Sequence, residues 1–336
     1  MINSSIIPIF IPHVGCPHDC VFCNQKRIAG TVSAPSADEI AQQVEAALSR
    51  RHSQPPQVAF YGGSFTGIPE HEQNAYLCAV QDYIRDGRIS GVRVSTRPDF
   101  IDENILDRLK SYHVQTVELG IQSFDDAVLL ASGRGHTAEQ ARSAARCVKE
   151  SRLELIIQLM AGLPGDSRSL CSMSASTAAQ LEPDGVRIYP VAVIGDTALA
   201  DMYSCGKYTP LDIESAVDVS ADMLEIFIKH DIPVIRRGLN PSDELEGSVL
   251  AGAYHPALGE LVRSRVYLRR ARKALDELDI RPGASATLKV TAKAVPLVYG
   301  QHSLNRKILT QEYSLSSLRV LPGDVPQWQI QASIDS

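Results

Sequence analysis

Cys16, Cys20 and Cys23 stand at C-x3-C-x2-C spacing in the run Gly15-Cys16-Pro17-His18-Asp19-Cys20-Val21-Phe22-Cys23-Asn24, just after the apolar segment Ile6 to Ile11. The informative number is three. A structural zinc site closes its tetrahedron with four protein ligands, whereas a 4Fe-4S cube held by three thiolates leaves one iron open to a substrate or cofactor. Zinc stays as an alternative, with His13 or His18 as fourth ligand. A disulfide framework fits poorly with a chain of 336 residues, seven cysteines and no basic, apolar, small-residue leader. Cys78, Cys147, Cys171 and Cys205 lie singly, where a small buried thiol is the commoner role.

The elements that must position this loop can be read from periodicity. Short β-branched runs recur at Ile6 to Ile11, Val58 to Tyr61, Val92 to Ser95, Val117 to Ile121, Leu155 to Met160 and Val186 to Tyr189. Helical patterns follow them: a capping box at Ser36-Ala37-Asp38-Glu39 opens one, and others cover Glu70 to Ile84, Glu103 to Ser111, Thr137 to Glu150, Ser167 to Leu181 and Asp212 to His230. Six strand-helix units of this kind build a parallel sheet, either doubly wound or closed into a full or partial barrel. Ligands then gather at the carboxyl ends of the strands. The unusual residues do fall there: the cysteines, Gly62-Gly63-Ser64, Thr96-Arg97-Pro98, Gln122-Ser123, Gly162-Leu163-Pro164-Gly165 and Pro190.

The rhythm breaks near Arg236-Arg237-Gly238-Leu239-Asn240-Pro241, which sets expected domains of 1–240 and 241–336. The second reads as a small α+β extension, with a long helix to about Leu278 and β-type segments at Ala286 to Ala292 and Trp328 to Ile330. With 44% apolar and 21% charged residues the chain has the composition of a soluble globular protein, and the free thiols suit a cytoplasmic location. No apolar run approaches the ~20 residues needed to span a bilayer. A net charge of −6 gives no global attraction to nucleic acid, although a local basic face could supply one.

The cysteine triplet, Phe22 before its third thiol and the glycine pair after the second strand resemble the radical S-adenosylmethionine enzymes. Tyr61-Gly62-Gly63-Ser64-Phe65-Thr66, Ser95-Thr96-Arg97-Pro98-Asp99, Glu118-Leu119-Gly120-Ile121-Gln122-Ser123-Phe124 and Gly252-Ala253-Tyr254-His255-Pro256 are most similar to the Elongator catalytic-subunit group, kin to oxygen-independent coproporphyrinogen oxidase. The resemblance implies a partial (β/α)6 TIM-like barrel, a 4Fe-4S cluster on the three cysteines and S-adenosylmethionine on the open iron. It also implies reductive cleavage to a 5′-deoxyadenosyl radical and an electron donor such as flavodoxin or ferredoxin.

Carried over position by position, the resemblance gives Gly62, Gly63 and Ser64 the methionyl amino group, Gln122 the ribose and Arg134 the methionyl carboxylate. Gly162 falls in the loop near the adenine. Gln158 and Ser95 stand where the coproporphyrinogen oxidase pattern has carboxylates. An amide still donates to and accepts from hydroxyls. The bland alternatives are ordinary strand-ending turns and, for Arg134, a solvated surface charge.

The Elongator group modifies tRNA wobble uridines and carries an acetyltransferase domain, for which a chain ending at Ser336 is too short. Two features point to tRNA as a candidate substrate. Arg263, Arg265, Arg269, Arg270, Arg272 and Lys273 cluster on one expected helix, as a phosphate-binding face or as a flank balanced by Asp276, Glu277 and Asp279. Gly300-Gln301-His302-Ser303, followed by Arg306 and Lys307, resembles a KH-type RNA loop with Ser303 in place of its second glycine. The alternatives are a radical enzyme acting on a small molecule, such as a tetrapyrrole, and a non-catalytic iron-sulfur carrier. Arg236 and His255, with Arg237 and Tyr254, are the candidate substrate-side groups. The competing reading has His255 capping the next helix and the arginines pairing with carboxylates such as Glu244.

Overall fold

Six of the parallel strands form where the β-branched runs lie, and each is carried to the next by helix. The computed structural model describes residues 5–11, 15–24, 34–239 and 242–335. His13, Asn240, Pro241 and the Glu244 side chain lie outside that description. The strands are β1 (Ile6–Ile11), β2 (Gln57–Gly62), β3 (Gly91–Thr96), β4 (Val114–Gln122), β5 (Glu154–Ala161) and β6 (Gly185–Pro190). A short β7 (Ala192–Ile194) follows. The sheet then gains a seventh parallel strand, β8 (Val234–Arg237), which pairs with β6 and gives the order β1-β2-β3-β4-β5-β6-β8. The architecture is therefore a curled half-barrel of parallel strands, one strand longer than six units require. Arg236 and Arg237, read in sequence as the end of the pattern, belong to this last strand.

Local chemistry sets the helix boundaries. Ser36 accepts from the Glu39 N–H while the Glu39 carboxylate accepts from the Ser36 N–H at 2.7 Å, so the expected capping box starts helix Ala37–Leu48. Thr137 and Gln140 do the same for Ala138–Glu150. Asp102, Ser167 and Asp212 cap Glu103–Ser111, Arg168–Gln180 and Ile213–Lys229. The stretch from Glu70 is not one helix: it divides into Glu70–Cys78 and Gln81–Arg85.

The chain divides into two compact units. The first comprises Met1–Ala216 and Ile226–Tyr254, the second Val217–Glu225 and His255–Ser336. In the first, β7 pairs antiparallel with β9 (Val249–Gly252). In the second, helix Leu258–Asp276 precedes β10 (Ser285–Val290), short helix Val295–Tyr299, helix Leu304–Glu312, β11 (Ser317–Pro322) and β12 (Gln331–Ile334). β10 is central, parallel to β11 and antiparallel to β12. The late strand thus begins at Gln331 rather than at Trp328, whose ring instead stacks on Tyr267, with centroids 5.2 Å apart.

Four arginines of helix Leu258–Asp276, Arg265, Arg269, Arg270 and Arg272, are engaged within the protein rather than held out for phosphate. Arg269 reaches Asp218, Asp222 and Glu225, and Arg265 pairs with Asp218. Arg272 makes a two-pronged bond to Glu312 at 2.8 and 2.7 Å, and Arg270 donates to the Trp328 carbonyl. Their countercharges come from 40 or more positions away in sequence, not from Asp276, Glu277 or Asp279.

Candidate active site

The cysteine loop is held by close backbone packing. Gly15, at φ +79°, lies so near the turn after β2 that a Cβ would stand 2.2 Å from the Ser64 carbonyl oxygen. The Val21 N–H donates to the Ser132 carbonyl at 3.1 Å, and the Val21 carbonyl accepts from Leu199 N–H at 2.8 Å. The loop also turns on itself through Cys23 N–H to the Cys20 carbonyl. Phe22 packs against the apolar cluster of Val128, Leu163, Val191, Val193 and Leu199.

Two guanidiniums converge on one of the thiols. Arg134, 6% exposed, donates from Nη1 to Cys20 Sγ at 3.2 Å and from Nη2 to the Gly120 carbonyl. Arg97 Nη1 stands 4.0 Å from the same sulfur. The Asp99 carboxylate grips Arg97 at 2.9 Å through both Nε and Nη2, and Arg97 Nη2 also reaches the Arg134 carbonyl. Burial pushes the Cys16 thiol up, reinforced by the neighbouring Cys20, against the opposing pull of Arg97, the Ser64 backbone and Arg134. Metal binding would overcome that penalty, since a coordinated thiol is deprotonated. Among the described residues no three His, Cys, Asp or Glu side chains are grouped as a metal site as they stand. The donor set itself, three thiols with two guanidiniums beside one of them, fits a cluster carrying negative charge.

The other sequence-selected residues line the neighbouring strand ends. Gly62 takes φ +114°, and the Gly63 N–H donates to the Ile11 carbonyl at 2.9 Å, joining the ends of β2 and β1. The Ser64 hydroxyl is buried against Thr96 at 2.8 Å and accepts from the Arg97 N–H. Gln122, a non-glycine residue at φ +73°, closes β4 at a register shift and accepts from Gln158 Nε2 at 3.3 Å. Left-handed backbone at such a position marks a constraint rather than a default. The Gly162 N–H donates to Asp166 at 3.0 Å. Ser95 lies on β3 opposite Glu118 of β4. Arg236 sits on β8 opposite Arg187 and donates to the Gly238 carbonyl at 3.1 Å. His255 belongs to the second unit, where its Nδ1 accepts from the Ala257 N–H at 3.0 Å, while the helix that follows has no side-chain cap.

Sequence reasoning missed a charged cluster on the inner face of the sheet. Glu118 Oε1 accepts from Arg93 Nη1 at 2.8 Å, Arg187 Nη2 at 2.9 Å and the Tyr61 hydroxyl at 3.0 Å. Arg93, 1% exposed, spends its remaining donors on Gln57. Arg187 also reaches Tyr61 and Tyr189. Burial of Tyr61, reinforced by Glu118, raises its pKa far above the usual phenol range. The available signal was alternation: Arg93, Glu118 and Arg187 interrupt apolar strands at positions of one parity.

A model of the Radical SAM superfamily matches residues 10–170, and one of the Radical_SAM C-terminal domain matches 183–268. A tRNA uridine(34) acetyltransferase of Methanocaldococcus infernus is 31% identical over 173 residues, 50% of this chain and 32% of that protein. The chain thus spans about a third of that relative. The structure of the archaeal Methanocaldococcus infernus Elp3 with an N-terminal deletion superposes with a TM-score of 0.63 at 22% identity, covering 81% of this chain and 63% of that one. Coproporphyrinogen III oxidase from Escherichia coli gives 0.50 at 16% identity, over 68% and 54%. At these identities the two structures speak to the fold.

Proposed function

The chain belongs to the radical S-adenosylmethionine superfamily of enzymes, and on that premise we propose that Cys16, Cys20 and Cys23 hold a 4Fe-4S cluster, with S-adenosylmethionine as cosubstrate and tRNA as substrate. The observation that carries the reading is the convergence of the cysteine loop, Gly62-Gly63-Ser64 and Arg134 at the carboxyl ends of the strands. When bound, the group supplies a reductively generated 5′-deoxyadenosyl radical for hydrogen-atom abstraction. The chain's own residues bind and orient. Gly62 and Gly63 let backbone carbonyls approach the methionyl ammonium. Arg134 pairs with the methionyl carboxylate through a charge-assisted bond, and Arg97, held by Asp99, keeps a second positive charge beside Cys20. Gln122 and Gln158 present amides to the ribose hydroxyls, and Phe22 and the Gly162 turn form the adenine side. Electrons come from a flavodoxin- or ferredoxin-type donor.

The tRNA assignment draws on the sequence relative and on the KH-like loop. A second reading, an anionic small molecule, is favoured by the inner-face cluster, where Arg93, Arg187 and Arg236 outnumber the Glu118 carboxylate. Arg236 faces that substrate in either case.

Anaerobic reconstitution tests the chemistry: about four irons per chain and 5′-deoxyadenosine on reduction, both absent in Cys20→Ala. One zinc without sulfide would end the radical reading. Mass spectrometry of tRNA nucleosides and of small metabolites, from cells with and without the gene, separates the two substrates.

A further inference from the structure

The carboxy-terminal unit carries a feature that neither family model reaches, since the second ends at residue 268. Its sheet has a central strand, β10, followed by two short helices joined at Gly300-Gln301-His302-Ser303 and then by β11, parallel and adjacent to β10. β12 lies antiparallel on the other side. All three helices pack on the face that carries Ala286, Leu288 and Val290. A four-residue glycine loop between two helices is the element with which KH modules clamp four nucleotides of RNA backbone.

The loop is built, not incidental. Gly300 takes φ +73° and ψ 166°, and a Cβ there would stand 2.8 Å from Asn305 Cγ. Asn305 is buried and donates from Nδ2 to Ser264 Oγ at 2.8 Å and to the Leu297 carbonyl at 3.3 Å, so the loop is pinned from beneath. Ser303 stands where the KH loop has its second glycine. It takes a left-handed conformation, φ 57° and ψ 30°, of the kind glycine adopts most freely, as does His302 at φ 51° and ψ 27°.

Three elements meet at Tyr299. The Val320 N–H, on the outer edge of β11, donates to the Tyr299 hydroxyl at 3.2 Å, and the Arg306 guanidinium lies 6.0 Å from the centre of its ring. Leu304, first residue of the helix after the loop, leaves 57% of its surface exposed. Charge is one-sided here. From Ser285 through Gln311 the sequence holds Lys289, Lys293, Arg306 and Lys307 and no Asp or Glu, in a chain of net charge −6. All four are exposed.

We propose that the surface formed by the Tyr299–Leu304 turn and the outer edge of β11 binds single-stranded RNA, with Lys293, Arg306 and Lys307 on its phosphates. This deepens the RNA reading above. Its readout is binding without turnover, so it fails separately from the cluster chemistry.

The test is fluorescence anisotropy of the full-length protein with a labelled single-stranded RNA of about eight nucleotides, long enough for a four-nucleotide clamp. Gln301→Asp/His302→Asp is expected to weaken binding at least tenfold while the melting temperature and 5′-deoxyadenosine formation stay as in the parent. Arg306→Gln/Lys307→Gln, both on an exposed helix face, should make the dependence of log K on log salt shallower by about 0.7 for each phosphate that is no longer neutralised. Duplex RNA should compete poorly. No binding by the parent, equal binding by the Asp pair with an unchanged salt slope in the Gln pair, or equal competition by duplex would each overturn the proposal.

Discussion

Arg97 and Arg134 place two permanent positive charges against one sulfur, and the cost of burying them is met by Asp99, the Gly120 carbonyl and the Arg134 carbonyl. Arg134→Ala should retain about four irons yet weaken S-adenosylmethionine binding by ~10- to 100-fold, the worth of one charge-assisted bond. Isothermal titration of the reconstituted protein measures it, and unchanged affinity would remove Arg134 from the site. Beside it, burial and then the Arg134 charge hold His136 down at about 4, so the native ring stays neutral while the unfolded ring protonates near its ordinary value. The unfolded state then binds more protons between about pH 4 and 6.5, and stability falls as pH drops through that window. The loss amounts to about 3 kcal/mol in full. His136→Leu should flatten that part of the stability profile measured by urea titration, and an equally steep profile would sink the assignment.

At the scale of the elements, the inner-face cluster ties four strands together through one carboxylate. Glu118→Gln keeps the shape but leaves Arg93 and Arg187 without their countercharge, a loss of about 3–5 kcal/mol for a broken buried pair. A melting temperature lowered by roughly 10 °C is expected, and a change within 2 °C would show that the cluster is solvated and weakly coupled. This cluster also marks the limit of what could be read from the chain. The cysteine loop, the glycine pair and the Ser36 capping box are legible because each is a short local run of residue types, readable without the distant partners that hold it. Glu118 meets Tyr61 and Arg187 across 57 and 69 positions, and only strand register, invisible to periodicity, brings them together. Arg97 lies within a readable motif, but its neighbour Arg134 is 37 residues on. β8 was missed for the opposite reason: its four residues end in two arginines, so the apolar signal is two residues long.

Across the whole chain, charge is segregated rather than averaged. The expected basic helix spends its arginines on Asp218, Asp222, Glu225 and Glu312, while the segment around the Gly300 loop keeps its cations uncompensated by any carboxylate of its own. The Gly300 segment then offers a local attraction to a polyanion, against a net charge of −6 for the chain. About three neutralised phosphates should give a log K against log salt slope near −2 for single-stranded RNA, since each contributes about −0.7. A slope steeper than about −5 would require a far larger basic surface. Among the described residues no helix is long and apolar enough to cross a membrane.

Among the described residues the parallel sheet has two ends, β1 and β8, that bond to a neighbour on one side only. A closed barrel resists widening because every strand is stitched on both sides, so enlarging it must break ladder bonds. The open sheet can instead flex like a leaf spring, altering its twist with the ladder intact. Widening at the strand ends is then expected as elastic deformation of the sheet. Amide exchange should show this as a gradient, fastest in β1 and β8 and slowest in β4 and β5. Uniform protection across all seven strands would mean that the sheet moves as one rigid plate.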